Sequence, residues 1–336
     1  MPTIKFNSVY LDSSSIVGSK MEKEGPLANC FDILYDDLYC NERTYEKGEL
    51  HLLKDAFSFT FKKSDYKEKD IGIMFGGDLL NQITSSSYIS SLYNIPFVGT
   101  FSACSSFALT LGLAASYIES NYVNNAIAFT SSSNATAERQ FRYPLEYGVQ
   151  KKETTTYTVT GASCAILTNS IRDIKVTSFT IGRVIDSGLK DASDMGNIMA
   201  ISAYDTIKTH FKDMNIDHTY YDLILTGDLS YYGKKTLLNL FKRDNIELDN
   251  YDDCGLIIYD RENQKVFAGG SGCACSALVT LGYVKEKLLK REYKKVLIVS
   301  TGALLSTTSI GQKETIPSIA HAISLEVYWW VIFYLC

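Results

Sequence analysis

Apolar and polar positions along this chain fall into blocks that recur. Gly72-Ile-Met-Phe-Gly-Gly-Asp-Leu-Leu80 reads as an apolar strand running into a glycine turn. Asp222-Leu-Ile-Leu-Thr-Gly-Asp-Leu-Ser230 repeats it at a constant offset of 150 residues. A second pair superposes at an offset of 170, with Cys104 to Ser131 over Ala274 to Thr301. There Ser106, Thr110, Leu111 and Gly112 meet Ser276, Thr280, Leu281 and Gly282. A third joins Cys164-Ala-Ile-Leu to His321-Ala-Ile-Ser. Shared order over gapless stretches identifies an internal duplication.

Each half therefore reads as strand, glycine turn, extended segment, buried helix, strand, final strand. The helix after Cys104 carries small and apolar residues on nearly all sides (Ala108, Leu109, Leu111, Leu113, Ala114, Ala115), which places it between layers. Its mate, 276–289, begins apolar and ends charged, as a helix emerging at the surface would. Buried strands separated by helices predict an α/β protein with mainly parallel or mixed sheets covered on both faces. The expected halves span residues 1–170 and 171–326, with Cys104 and Ala274 as mates near the interior. The last ten residues, 327–336, are apolar and include both tryptophans. That is about half the length of a membrane-crossing helix, so an edge strand, a membrane-surface contact and the start of a longer span all remain open.

Composition narrows the functional classes. With 46% hydrophobic and 21% charged residues the chain is an ordinary globular protein, able to bury one large core or two linked ones. A net charge of −5 argues against nucleic acid as a partner. No basic region followed by an apolar run opens the chain, so no export signal is expected. The eight cysteines form no C-x-x-C pair and the histidine spacing suits no zinc site. Buried, reduced thiols are expected, with neither metal nor cofactor.

Two places carry candidate chemistry. Cys104 opens the first central helix, where unpaired backbone N–H groups and the helix dipole favour a thiolate. A small residue kept there for packing explains it equally well. A nucleophile needs a base, and the chain has only His51, His210, His218 and His321. The repeat sets His321 opposite Cys164, near the centre of the fold, as a pocket residue or a satisfied core histidine. The other place is the 134–147 loop, with Asn134, Glu138, Arg139, Arg142 and Glu146 among Phe141, Tyr143 and Tyr147. Arginine is scarce (eight, against twenty-five lysines), yet two lie three residues apart here. Guanidinium forks bind carboxylates and aromatic rings stack on flat ligands. The competing reading is a surface loop fastened by Glu–Arg pairs.

The duplicated pattern with a cysteine at the first central helix resembles the thiolase and ketoacyl-synthase superfamily, an αβαβα arrangement of two pseudo-symmetric halves. Four segments resemble the stage V sporulation protein AD family more specifically: Gly76-Gly-Asp-Leu-Leu-Asn-Gln82, the loop from Thr130 to Gly148, Phe267-Ala-Gly-Gly-Ser-Gly-Cys-Ala-Cys-Ser-Ala277, and Ile316-Pro-Ser-Ile-Ala-His321. Lys20, Lys23 and the segment 22–27 also match it, although a solvated charge run explains them too. The resemblance runs from about residue 1 to 326; the tail departs from it. It implies a peripheral protein of the spore inner membrane that binds dipicolinic acid, with or without calcium. The implied partners are membrane proteins of the stage V sporulation A assembly, serving uptake in sporulation and release in germination. The superfamily implies a homodimer by analogy alone.

Condensing enzymes of the superfamily place a histidine or asparagine after each glycine turn of the second half. Here those places fall near Gly227 and Ser271, and loss of one oxyanion donor costs roughly two to three orders of magnitude in turnover. The expectation is a non-catalytic binder with Cys104 as a vestigial nucleophile. The ligand would be bordered by Cys104, Asn134, Glu138, Arg139, Arg142 and His321. The alternative is an acyl-transfer or condensing enzyme using Cys104.

Overall fold

A computed structural model describes residues 2–328. The first half runs β1 (Tyr10–Gly18), α1 (Tyr45–Lys63), β2 (Ile73–Gly77), α2 (Thr84–Ser90), β3 (Phe97–Gly99), α3 (Ser106–Glu119), β4 (Asn125–Ser132), α4 (Asn134–Phe141) and β5 (Gly161–Thr168). The second half runs β6 (Ile174–Thr180), α5 (Met195–Met214), β7 (Leu223–Thr226), α6 (Ser230–Arg243) and β8 (Tyr251–Asp253). It continues with α7, then β9 (Lys295–Ala303) and β10 (Ser318–Val327). Helix α7 is built from Cys273–Leu278, a wide π-type stretch Val279–Val284, and Lys285–Leu289.

The strand order is β3-β2-β4-β5-β1-β6-β10-β9-β7-β8, which reads the same from either end once the halves are exchanged. The repeated strands β2 and β7 hold equivalent positions, one in from each outer edge, and each is parallel to both neighbours. The strands β5 and β10 run antiparallel to both of theirs. Each half is thus a mixed sheet. The two sheets meet where Tyr10 and Leu11 of β1 pair with Lys175 and Ile174, and a short N-terminal strand, Thr3–Lys5, pairs with the far end of β6. The C-terminal segment begins differently from its expected boundary. Val327 still belongs to β10, paired with Ile174, because the strand is covered there; residues 329–336 lie outside the described residues.

Three large apolar clusters fill the layers among the described residues. Helix α1 begins at Thr44, whose hydroxyl caps the Lys47 amide, and buries Leu52, Leu53, Ala56, Phe57 and Thr60 along one stripe. That stripe meets Met74, Ile127, Phe129 and Cys164 on the outer face of the first sheet. Helix α5 does the same on the second sheet with Ile198, Met199, Ala203 and Ile207 against Leu297, Val299 and Ala322. Between the sheets, α3 and α7 form the central layer with Phe107, Leu111, Ala274, Leu278 and Leu281.

The paired glycines of the repeat explain how that layer closes. A Cβ on Gly112 of α3 would lie 2.3 Å from the Phe179 ring of β6; one on Gly282 of α7 would lie 2.6 Å from Ile16 of β1. Each central helix therefore presses its glycine against the first strand of the opposite half.

Candidate functional site

Cys104 stands in the turn before α3. Ala103 carries a left-handed φ of 47°, which an L-residue adopts only under constraint, and the Ser102 carbonyl accepts from the Ser105 amide at 3.0 Å to close the turn. This turn carries the thiol to the floor of a small cavity of about 40 Å³, bounded by Leu79, Ala137, Phe141, Arg142, Thr158 and Ser271 among others. That volume admits little more than one or two waters.

The thiol does not have the activated character that its place before a helix suggests. Burial pushes it well above its ordinary value, and the facing Asp228 carboxylate pushes it further through charge and hydrogen bonding. Ser271 Oγ lies 3.8 Å from the sulfur and donates to Asp228 at 2.9 Å; the Gly272 amide and Thr301 hydroxyl donate to the same carboxylate at 3.1 and 2.5 Å. Asp228 is itself buried, and burial raises its carboxyl. The dipole of α3 acts on the thiol as a partial charge only. Burial, with the neighbouring carboxylate acting in the same sense, outweighs it.

Gly227 and Ser271 sit differently with respect to the thiol. A Cβ on Gly227 would already lie 3.0 Å from the Thr301 amide nitrogen and 3.1 Å from Ser300 Cα, so a larger side chain there needs the β7 and β9 strands to part. Asp228, the next residue, takes the space over the sulfur instead. The repeated Gly-Asp-Leu signal could have found it. Its mate, Asp78, turns away from the centre and accepts from the Leu80 amide and from the Ser86 amide and hydroxyl at the start of α2.

The structure does not bring all of the predicted site residues together. His321 is buried on β10; its Nδ1 accepts from the Gly182 amide at 3.2 Å, so its Nε2 donates to Ser102 Oγ at 3.0 Å. Burial lowers this imidazole to about 4, and its ring lies against Phe179. Both nitrogens are taken up, one bracing the Cys104 turn through Ser102 and the other holding the Gly182 amide after β6. Asn134 is buried at the start of α4, donating its backbone amide to Thr160 Oγ1 at 2.9 Å, and its side-chain Nδ2 has no partner among the described residues. Arg139 faces outward in an ion pair with Glu46.

Arg142 and Glu138 do meet, at the outer cleft. Helix α4 ends at Phe141, and Arg142 leaves helical geometry (φ −135°, ψ −98°), which swings its guanidinium inward. One of its terminal nitrogens pairs with Glu138, which also holds Lys151 at 3.0 Å. The Arg142 Nε is buried with no partner among the described residues. Phe141 and Arg142 form the boundary between the inner cavity and a wider cleft of about 680 Å³. Lys151, Lys152 and Lys190 line this cleft, opposed by Glu138 and Asp191. Lys152 pairs with Asp191 at 2.9 Å and Lys190 rests on the Lys313 carbonyl at 2.7 Å. These lysines lack any distinguishing sequence pattern; only folding gathers them around Arg142. Among the described residues no group of three or more His, Cys, Asp or Glu side chains is placed to hold a metal ion.

Comparison with known proteins adds lineage to this geometry. Residues 2–326 match the family model described as stage V sporulation protein AD (SpoVAD). The chain is 45% identical over 319 residues to the stage V sporulation protein AD of Bacillus subtilis (strain 168), covering 95% of this chain and 94% of that protein. Among solved structures it resembles a single-residue variant of Xanthomonas campestris OleA, with a TM-score of 0.61 at 13% identity over 97% of this chain and 99% of that one. It also resembles the 3-oxoacyl-[acyl-carrier-protein] synthase III of Aquifex aeolicus VF5, with a TM-score of 0.59 at 12% identity over 95% of this chain and 99% of that one. At such identities the two structures establish a shared thiolase-like fold and nothing about chemistry.

Proposed function

This chain belongs to the stage V sporulation protein AD family, and from that premise we propose that it binds dipicolinic acid without transforming it. It would serve as the peripheral subunit of a spore inner-membrane transport assembly, in uptake during sporulation and release at germination. Its partners would be the membrane proteins of the stage V sporulation A assembly. Among the described residues no helix is long and apolar enough to cross a membrane.

The observation that carries the reading is Arg142, a guanidinium with a buried, unpartnered Nε at the edge of a cleft lined by lysines. A buried donor without an acceptor is costly, and a ligand carboxylate would relieve it. The outer cleft falls within the roughly 300–1,000 Å³ range of small-molecule sites, whereas the inner cavity is too small for a pyridine ring. Dipicolinate is a flat pyridine with a carboxylate on either side of its nitrogen. One carboxylate would meet Arg142 and the other the lysines, with Phe141 against the ring.

A non-catalytic role is supported by the Cys104 surroundings. Attack on a thioester requires a thiolate, and burial, together with the neighbouring Asp228 carboxylate, favours the protonated thiol. His321, the remaining candidate base, is committed to Ser102 and Gly182. The second reading, acyl transfer by Cys104, rests on the strained turn that presents the thiol to a cavity.

Calorimetric titration of dipicolinate, with and without calcium, into wild type and two variants tests the first reading. Arg142→Ala should weaken binding about ten- to a hundredfold, because a charge-assisted hydrogen bond contributes about 1.5–3 kcal/mol. Arg142→Lys should recover only part, since an ammonium has no planar fork. Unchanged affinity in a folded Arg142→Ala variant moves the site elsewhere. Absence of binding by wild type, together with a radiolabelled acyl group trapped on Cys104, replaces the binder with the enzyme.

A further inference from the structure

A separate pocket lies near the start of β1. It holds about 170 Å³ and is lined by Leu11, Ser13, Ser14, Ile174 and Leu289 together with Lys63, Arg172, Lys285, Asp12 and Asp173. A bulge between Leu11 and Ser13 shapes this end of the strand. Three cations from separate elements converge here: Lys63 at the end of α1, Arg172 just before β6 and Lys285 on α7.

The arrangement leaves one cation without a carboxylate in contact. Arg172 pairs with Asp12 at 2.6 Å, and Asp12 also accepts from Ser64 at 2.5 Å. Lys63 pairs with Asp32 at 2.5 Å, and Asp32 also accepts from the Ile16 amide at 3.0 Å. The Lys285 ammonium donates to Ser14 alone among the described residues, to its hydroxyl at 2.8 Å and its carbonyl at 3.4 Å. Lys63 donates to the same carbonyl at 3.1 Å, so two positive charges share one acceptor. Asp32 attracts Lys285 only from beyond contact, and that attraction is smaller than the repulsion from Lys63. Ser13 supplies an independent sign: its hydroxyl, on a residue only 6% exposed, has no partner among the described residues.

We propose that this pocket binds a small oxyanion of the phosphate class, with Lys285, Lys63 and Arg172 as the charged donors and Ser13 as a hydroxyl donor. A half-buried ammonium without a counter-ion in contact is costly, and an anion between Lys63 and Lys285 converts their repulsion into attraction. Burial and the Lys63 charge hold the Lys285 ammonium down at about 8, the state that a bound anion would reverse. The volume is below the roughly 300 Å³ at which small-molecule sites begin, which suits a single phosphate group. That group could be free phosphate or the headgroup of an anionic lipid.

Titration of inorganic phosphate into the full chain, followed by 31P NMR and calorimetry, tests the site. Flotation with vesicles containing phosphatidic acid forms the second arm. Saturable binding of free phosphate assigns a soluble anion; vesicle binding without a response to free phosphate assigns a headgroup. In whichever arm responds, Lys285→Met should weaken binding about tenfold or more and Ser13→Ala about threefold. Lys290→Met, an exposed lysine that follows α7 and pairs with Glu286, should change nothing. Ser13→Ala removes only a hydroxyl, so it remains informative if Lys285→Met does not fold. No saturable response in either arm, or a response untouched by both pocket variants, overturns the proposal.

Discussion

At Cys104 the helix dipole favours the thiolate, while burial first and the Asp228 carboxylate second favour the thiol, and the latter two prevail. A thiol held protonated in this way packs as a small apolar group. We expect Cys104→Ala to leave dipicolinate affinity unchanged within about twofold, at a cost in stability of about 1 kcal/mol. Titration calorimetry and chemical denaturation measure both, and loss of ligand binding with intact folding would return the thiol to the binding machinery. Arg142 is legible in the sequence because arginine is rare here and clustered beside aromatics. Its divergence from Arg139 is not, because the two separate only where α4 stops and Arg142 adopts a non-helical backbone. Asp228 is half legible: the repeated Gly-Asp-Leu marks the place, but spacing alone does not say which of two adjacent residues turns inward.

Helix α4, which delivers Glu138 and Arg142, is tied to the rest of the fold by a carboxyl on a different element. Glu49 of α1 accepts from Ser131 at the end of β4 at 2.8 Å and from Thr136 of α4 at 3.0 Å. Burial, and secondarily the Asp78 charge, push this carboxyl up to about 8. A folded-state value above the ordinary 4.5 means that the protonated form is favoured in the fold. Its contribution is fully present below pH 4.5 and is lost as pH rises toward about 8. Glu49→Gln, which stays neutral, should therefore lose less stability than wild type between about pH 5 and pH 9 and be relatively more stable at the alkaline end. Denaturant midpoints across that range measure it; parallel pH profiles would show that Glu49 does not couple its titration to folding. A glutamate on the buried face of α1 reads as an ordinary polar position in the sequence until its partners are known.

At the scale of the molecule, two halves are held together by reciprocal close contacts. Gly112 meets Phe179 of the second half and Gly282 meets Ile16 of the first. Gly112→Ala places a methyl 2.3 Å from the aromatic ring, so either α3 or β6 must move. Overpacking of this kind costs about 1–3 kcal/mol, and the loss should appear as a lowered denaturation midpoint. Gly311→Ala, with nothing within 4 Å of the added carbon, should leave the midpoint unchanged. Equal stability of the two variants would mean that the central layer has slack the packing does not suggest.

The repeat and the equivalence of β2 with β7 were determined by sequence alone, because burial on both faces of a strand and close approach of a helix leave local, periodic marks in residue size and polarity. Those marks carry the resemblance that implied the thiolase-like arrangement. The segment from Asn134, expected as a loop, folds instead as α4 over Asn134–Phe141, where its buried residues pack against the rest of the fold. Which charged groups meet was decided only by the tertiary structure. The Asp228–Cys104 contact, the commitment of His321 to Ser102 and Gly182, the lysines around Arg142 and the cluster at Lys285 all join residues far apart in the chain. An ionisable side chain owes its protonation state to neighbours and burial, and neither is encoded in the residues beside it.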